Sequence, residues 1–90
     1  MIARRLTISG RVQGVGFRYA LAVEARTRNL GGWVRNRRDG SVEAVVVGPE
    51  AEVEAVIAWA RHGPPAAHVT GVSVEPTAEA ASRFEVVPTV

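Results

Sequence analysis

GRVQGVGFR, residues 10 to 18, joins a predicted strand to a predicted helix through a glycine-containing loop. Gly14 and Gly16 provide the freedom in φ that lets consecutive backbone N–H groups turn toward one point. The helix beginning near Phe17 has no Ser, Thr, Asp or Asn just before it to cap its first N–H groups. Arg18 lies in the first helical turn, where the helix dipole disfavours a cation. A bound phosphate explains both features, because its oxygens cap the helix and accept a charge-assisted bond from the guanidinium.

Better-known phosphate loops do not match this stretch. A Walker A loop requires a Lys followed by Ser or Thr, and the chain has no Lys; a dinucleotide fingerprint requires Gly where the chain has Tyr19. A cysteine phosphatase would have its nucleophile six residues before Arg18, where this chain has Val12. The stretch therefore predicts an anion-binding loop without a nucleophile. The alternative is a glycine turn capped by water beside a solvated arginine.

Two stretches of the chain resemble the two signatures of the acylphosphatase family: GRVQGVGFR and, at residues 32 to 48, GWVRNRRDGSVEAVVVG. The residues that match the second signature are Trp33, Asn36, Gly40, Val42 and Gly48. The similarity continues through residues 49 to 61, the Gly63-Pro64-Pro65 segment and Phe84, so it covers essentially the whole chain. The family usually has an apolar residue at Arg28 and Gly at Asn29, departures that concern the end of a helix and not the chemistry.

The composition is that of one globular, soluble domain over residues 1 to 90, with 47% hydrophobic and 22% charged residues. No apolar run approaches the length of a membrane span, and the basic start MIARRLTIS lacks the apolar region of a signal peptide. We therefore expect a cytoplasmic location. The absence of cysteine excludes disulfides, thiolate catalysis and thiolate metal sites. A formal net charge of +2 is weak support for a nucleic-acid partner.

Hydrophobic periodicity predicts strands at residues 4–9, 32–38, 41–48, 68–75 and 83–87, and helices at 17–28 and 49–61. Asp39-Gly40 predicts a hairpin turn between the second and third strands. The third strand is apolar on both faces, which is typical of a strand inside a sheet. The order is βαββαβ with a short extra C-terminal strand. It predicts an α+β, ferredoxin-like sandwich whose mostly antiparallel sheet carries two helices on one face, a fold that the family resemblance also implies.

The two signatures should meet at one end of this fold. From Arg18 the helix runs about 11 residues at roughly 1.5 Å each, or about 16 Å. The returning strand covers about five residues at roughly 3.3 Å each, again about 16 Å. Asn36 is therefore expected to return to the level of Arg18.

The resemblance implies hydrolysis of the carboxyl-phosphate bond of acyl phosphates, giving a carboxylate and inorganic phosphate. It assigns in-line attack to a water positioned by Asn36, with catalytic help from Arg18. The implied phosphate-binding residues are Gln13, Gly14, Val15, Gly16, Phe17 and Arg18. The leaving carboxylate has a conjugate acid with a pKa of roughly 4 to 5, so binding and neutralisation suffice without a metal or cofactor. We expect inorganic phosphate to inhibit competitively, a monomer, and no nucleic-acid or membrane partner.

Other residues have simpler interpretations. His62 and His68 lack the clustering of zinc ligands and are interpreted as surface histidines. We interpret Asp39 as a turn residue and Glu43 as a solvated strand residue, not as a carboxylate pair. The arginines near the predicted hairpin are interpreted as a solvated tip, and the alternative is a basic strip for substrate steering or RNA: Arg35, Arg37 and Arg38.

Two functions compete with catalysis. An RNA-binding module would stack bases on sheet aromatics, but the strands offer only Trp33 and Phe84 and no RNP-type run of aromatics. An inactive anion sensor on the same fold would bind phosphate without turnover. The presence of both Arg18 and Asn36 favours the enzyme.

Overall fold

The computed structural model describes residues 1 to 90. The elements in chain order are β1 (Ile2–Arg11), α1 (Phe17–Thr27), β2 (Gly31–Asn36), β3 (Val42–Gly48), α2 (Glu50–Ala60), β4 (His68–Pro76) and β5 (Phe84–Val86). The five strands form one sheet in the order β4-β1-β3-β2-β5. All neighbouring strands are antiparallel except β2 and β5, which are parallel. The predicted βαββαβ order with a short extra strand is therefore confirmed.

Both helices cover one face of the sheet, as predicted. The completely buried side chains on this face of β1 and β3 are Leu6, Ile8, Val42, Ala44 and Val46. They form one cluster with the buried side of α1 (Phe17, Leu21, Ala22, Ala25) and of α2 (Val53, Val56, Ala60). Burying one such Val, Leu, Ile or Phe side chain contributes about 1.5–3 kcal/mol, so this cluster fixes the helices against the sheet.

Helix α1 ends at Arg28 and Asn29. Asn29 adopts φ 58°, the left-handed conformation predicted for it, and Leu30 N–H closes the helix on the carbonyl of Ala25 at 2.9 Å. The Arg28 guanidinium bonds to Glu52 at 3.1 Å and so joins the end of α1 to the first turn of α2.

The opposite face of the sheet is partly covered by residues 77 to 82. Thr77 N–H donates to the carbonyl of Ala3, and the carboxylate of Glu79 accepts hydrogen bonds from Arg5 Nη2 and Trp33 Nε1, each at 2.9 Å. Gly31 of β2 lies directly against the Ala81 carbonyl, at a place where a side chain would collide. These contacts hold the segment across β1 and β2.

Neither helix is suited to crossing a bilayer, since each has 11 residues and no helix of the chain combines the necessary length and apolar character.

Acid should weaken the attachment of residues 77 to 82. The hydrogen bond from Trp33, followed by the bond and charge of Arg5, lowers the pKa of Glu79 below 4.5, the value of an unperturbed glutamate. A lowered folded-state pKa contributes stability that is present above pH 4.5 and is lost as the pH falls through the folded value. Because Glu79 is 39% exposed, solvent screening limits this contribution to about 0.5–1 kcal/mol.

We therefore expect Glu79→Gln to lower the free energy of unfolding by about 0.5–1 kcal/mol at pH 7, and by close to zero at pH 3. Urea unfolding at the two pH values measures both differences. Glu54→Gln serves as the control, because Glu54 is exposed on α2 and makes no ion pair. A Glu79→Gln deficit that stays the same at pH 3 would contradict this explanation.

Candidate active site

The loop between β1 and α1 has the backbone conformation that its glycines predict. Gly14 has φ 73° and Gly16 has φ 78°, both in the left-handed region. A Cβ added at either position would meet no other atom within 4 Å. Glycine is therefore required for its backbone conformation and not for lack of space, and the open side of the loop faces outward.

The backbone N–H groups of this loop and of the first turn of α1 have no acceptors within the chain. None of the N–H groups of residues 13 to 19 donates to an acceptor within the chain, and the first helical bond runs from Ala20 N–H to the carbonyl of Gly16 at 3.1 Å. Gly16 provides no side-chain cap, and the first turn of α1 contains no acidic residue. The loop and the first helical turn thus offer a group of free donors, which suits the oxygens of an anion.

Arg18 adds a positive charge to these donors. It is half-buried in the first turn of α1, and its guanidinium lies 5.6 Å from the ring of Tyr19. Four other arginines are paired with carboxylates, namely Arg5, Arg28, Arg35 and Arg37, whereas Arg18 makes no ion pair. Its guanidinium is therefore available to a ligand.

Asn36 is the last residue of β2, and its side chain is on the helix-covered face of the sheet. It follows the buried Val34 by two residues and pairs with the buried Val42. Its Oδ1 atom is buried and accepts no hydrogen bond within the chain. Leaving such an acceptor unpaired costs about 1–3 kcal/mol, so this atom calls for a functional explanation.

The sheet register places the two predicted catalytic elements at one end of the molecule. Val42 of β3 pairs with Ile8 of β1 on one side and with Asn36 of β2 on the other. The loop that begins α1 follows β1 at this same end. The carboxamide of Asn36 and the first turn of α1 therefore lie on one face and at one end of the sheet.

The side chain of Gln13 joins the loop to the β2–β3 hairpin. Its Nε2 donates to the carbonyls of Arg37 at 2.7 Å and Ser41 at 2.9 Å. Arg37 directly follows Asn36, and its own N–H donates to the Ser41 carbonyl at 2.9 Å. The sequence interpretation considered Gln13 only through its backbone N–H and missed this link. No local pattern indicates it, because both acceptors are backbone atoms more than 20 residues away.

Phe17 anchors the other side of the loop. Its buried ring packs on Trp59 with centroids 5.5 Å apart, and Gly63 lies so close to the ring that a side chain there would collide. The core therefore holds the start of α1, and with it the six predicted phosphate-binding residues, in a fixed place. The largest cleft of the molecule, about 460 Å³, lies at the other end of α1 beside Arg26 and Arg83.

The two carboxylates near the hairpin, Asp39 and Glu43, differ in their exposure to solvent. Asp39 accepts hydrogen bonds from the Ser41 hydroxyl at 2.6 Å and the Ser41 N–H at 2.9 Å, and the hydroxyl bond is the main cause of its lowered pKa. It is a turn residue, as predicted. The prediction of a solvated Glu43 is wrong, because the side chain is only 2% exposed and bonds to Arg5 and Arg35. Of the three arginines predicted to form a solvated tip, Arg38 is exposed as predicted, whereas Arg35 bonds to Glu43 at 2.8 Å and Arg37, still partly exposed, lies 3.7 Å from it.

Comparison with known proteins gives one consistent result. The sequence model of the acylphosphatase family matches residues 4–86. The acylphosphatase of Azoarcus sp. (strain BH72) is 51% identical over 90 residues, an alignment that covers 99% of this chain and 92% of that protein. The acylphosphatase of Thiobacillus denitrificans is 54% identical over 80 residues, covering 89% and 90% respectively. The crystal structure of an acylphosphatase from Bacillus subtilis superposes with a TM-score of 0.92 at 42% identity, covering 97% of this chain and 99% of that one.

If Gln13 holds the loop in its binding conformation, removing its side chain should weaken anion binding. We expect Gln13→Ala to lower the free energy of unfolding by about 1–2 kcal/mol, because two hydrogen bonds are lost, and to raise the Kd of inorganic phosphate about tenfold. Urea unfolding and calorimetric titration measure the two effects. Ser9→Ala is the control, since Ser9 is exposed and its side chain makes no hydrogen bond. Lost stability with unchanged phosphate affinity would show that the link supports the hairpin but not the loop.

Proposed function

The chain belongs to the acylphosphatase family, and from this premise we propose that its loop-and-helix donors bind the phosphoryl group while Asn36 directs the attacking water. The enzyme hydrolyses acyl phosphates to a carboxylate and inorganic phosphate. The observation that carries the proposal is the meeting, at one end of the sheet, of acceptor-less N–H groups, an unpaired arginine and a buried amide oxygen without a partner.

In this mechanism the phosphoryl oxygens take the place of the missing acceptors. The donors are the guanidinium of Arg18 and the backbone N–H groups of Gln13, Gly14, Val15, Gly16, Phe17 and Arg18. As the bond to the acyl oxygen lengthens, negative charge spreads over the oxygens that these donors contact. Because the donors are already oriented by the glycines and by the buried Phe17, they stabilise this charge without rearranging.

The leaving group explains why so small a set of residues is enough. An alkyl phosphate leaves as a poor alkoxide and needs a general acid, a metal or a covalent nucleophile. An acyl phosphate leaves as a carboxylate, whose conjugate acid has a pKa of about 4 to 5. It departs without protonation, so the proposed reaction uses no metal and no cofactor.

Asn36 positions the nucleophile. Its carboxamide has an acceptor, Oδ1, and a donor, Nδ2, and both can hydrogen-bond to the attacking water. These contacts hold a lone pair of the water in line with the leaving oxygen. The water oxygen bonds to phosphorus, the bond between phosphorus and the acyl oxygen breaks, and that electron pair leaves with the carboxylate. An amide is too weakly basic to take the proton, so a phosphoryl oxygen accepts it.

The same site explains why inorganic phosphate should be both product and competitive inhibitor. Inorganic phosphate fits the donors that hold the substrate phosphoryl group, so it leaves as product and competes with the substrate. The proposed enzyme acts as one domain over residues 1 to 90, as a cytoplasmic monomer, and its substrate is a small molecule rather than a nucleic acid or a membrane.

Two substitutions separate binding from turnover. Arg18→Gln removes a charged hydrogen bond worth about 1.5–3 kcal/mol, so the Ki of inorganic phosphate should rise about 10- to 150-fold and turnover should fall. Asn36→Ala should lower kcat about 100-fold while the Ki changes less than about threefold, because the water and not the phosphoryl group loses its partner. Absorbance assays on an aromatic acyl phosphate, with phosphate as inhibitor and with or without a chelator, measure both constants.

The chain provides a matched control for each substitution. Arg61→Gln removes an exposed arginine that makes no ion pair, and Asn29→Gly replaces the asparagine at the end of α1 without strain at its positive φ. Both variants should keep the kcat and Ki of the unmodified enzyme. Equal losses of kcat and phosphate binding in Asn36→Ala would contradict the role assigned to Asn36, and loss of activity with the chelator would contradict a metal-free reaction.

A further inference from the structure

Glu43 is a buried carboxylate that the proposed reaction does not use. It lies on the central strand β3, on the sheet face opposite the helices, and is 2% exposed. Its Oε1 accepts from Arg35 Nε at 2.8 Å and its Oε2 from Arg5 Nη1 at 3.3 Å, while Arg37 Nη1 lies 3.7 Å from Oε2. A buried charge is costly unless it is paired, and here three guanidiniums surround one carboxylate.

The partners of Glu43 flank the proposed catalytic asparagine. Arg35 and Arg37 are the residues immediately before and after Asn36. Successive side chains of an extended segment point to opposite faces, so the two arginines are on the outer face and Asn36 is on the helix-covered face. One carboxylate thus holds the chain on both sides of Asn36. The carbonyl of Arg37 is also an acceptor for Gln13 of the phosphate loop.

The third partner of Glu43 is Arg5, which lies on the strand that leads to the phosphate loop. Arg5 belongs to β1, which continues into that loop, and its guanidinium reaches Glu43 across the strand boundary. Glu43 therefore connects β1 and β2, the strands on either side of β3. The loop that binds the phosphoryl group follows one of these strands, and Asn36 ends the other.

We propose that Glu43 is a positioning residue for hydrolysis: through Arg35 and Arg37 it fixes the direction from which the Asn36 carboxamide approaches the phosphoryl group. This inference rests on the function proposed above for Asn36. In-line attack is sensitive to position, since a displacement of about 1 Å can cost up to about 100-fold in rate. Glu43 itself lies on the sheet face opposite Asn36, so it acts on the reaction only through the residues that it holds.

Glu43→Gln tests the proposal because it keeps the shape of the side chain and removes its charge. We expect kcat to fall about tenfold while the Ki of inorganic phosphate stays within about twofold, since the loop donors are unchanged. The side-chain NH₂ signals of Asn36, assigned by their absence in Asn36→Ala, should shift in the NMR spectrum of Glu43→Gln. An unchanged kcat and unmoved signals would overturn the proposal.

Glu79→Gln is the matched control. Glu79 is also a glutamate bonded to Arg5, but it is exposed and makes no hydrogen bond to Arg35 or Arg37. Its substitution should leave both kcat and the Asn36 signals as they are. The same loss of kcat in this variant would show that any weakening of the outer face slows the reaction, and it would overturn the specific role of Glu43.

Combining substitutions shows whether the effect passes through Asn36. In the Asn36→Ala background, Glu43→Gln should lower kcat less than about twofold, because the group that it positions is already gone. A further loss near tenfold would mean that Glu43 acts by another route and would overturn the proposal. If Asn36→Ala alone keeps full kcat, the proposed function fails; if it is impaired while Glu43→Gln is fully active, only the present inference fails.

Arg35→Gln provides the same test if Glu43→Gln does not fold. It leaves Glu43 with Arg5 and Arg37 as partners and releases only the residue before Asn36. A folded Arg35→Gln protein should show the kcat-specific loss and the shifted Asn36 signals. Wild-type values for both would overturn the proposal.

Discussion

The site depends on backbone N–H groups that find no acceptor inside the chain. At the start of α1, the left-handed Gly14 and Gly16 turn these donors outward, and neither a capping side chain nor an acidic residue satisfies them. A phosphoryl group provides acceptors of the right charge, so the arrangement that leaves the helix uncapped is also the one that supports the proposed binding site.

The rest of the fold keeps these donors and Asn36 at the same end of the sheet. The antiparallel order of β1, β3 and β2 brings the loop and the end of β2 to one end of the sheet. The hydrophobic cluster under the helices fixes the position of Phe17 against the sheet. The Gln13 side chain hydrogen-bonds the loop to two carbonyls of the hairpin. The groups proposed for catalysis thus lie at the ends of packed strands and helices, which suits a reaction that relies on orientation and charge rather than on a covalent nucleophile.

Much of this could be predicted from the sequence because it depends on local pattern. Strand alternation, helical spacing, the Asp39-Gly40 turn and the apolar faces of β3 gave the order of elements and the central place of that strand. The ends were less accurate: β1 extends over Ile2–Arg11, beyond the expected residues 4–9, because pairing with β3 and β4 recruits flanking residues without an apolar pattern. The two matching signatures supplied the family and the proposed roles of Arg18 and Asn36.

What the sequence did not indicate depends on contacts between distant residues. Glu43 was interpreted as solvated, yet the guanidiniums of Arg5 and Arg35 cover it from the two neighbouring strands. The ion pair between Arg28 and Glu52 becomes evident only when the two helices are packed together. Such partners are set by strand register and helix placement, which neither residue type nor local spacing encodes.

Titration of the uniformly ¹⁵N-labelled enzyme with inorganic phosphate tests the central claim most directly. The account predicts that the largest saturable shifts are those of the backbone N–H groups of residues 13 to 19 and of the Arg18 guanidinium, all with one dissociation constant. Saturable shifts centred instead on the cleft beside Arg26 and Arg83, with the signals of residues 13 to 19 unmoved, would contradict it.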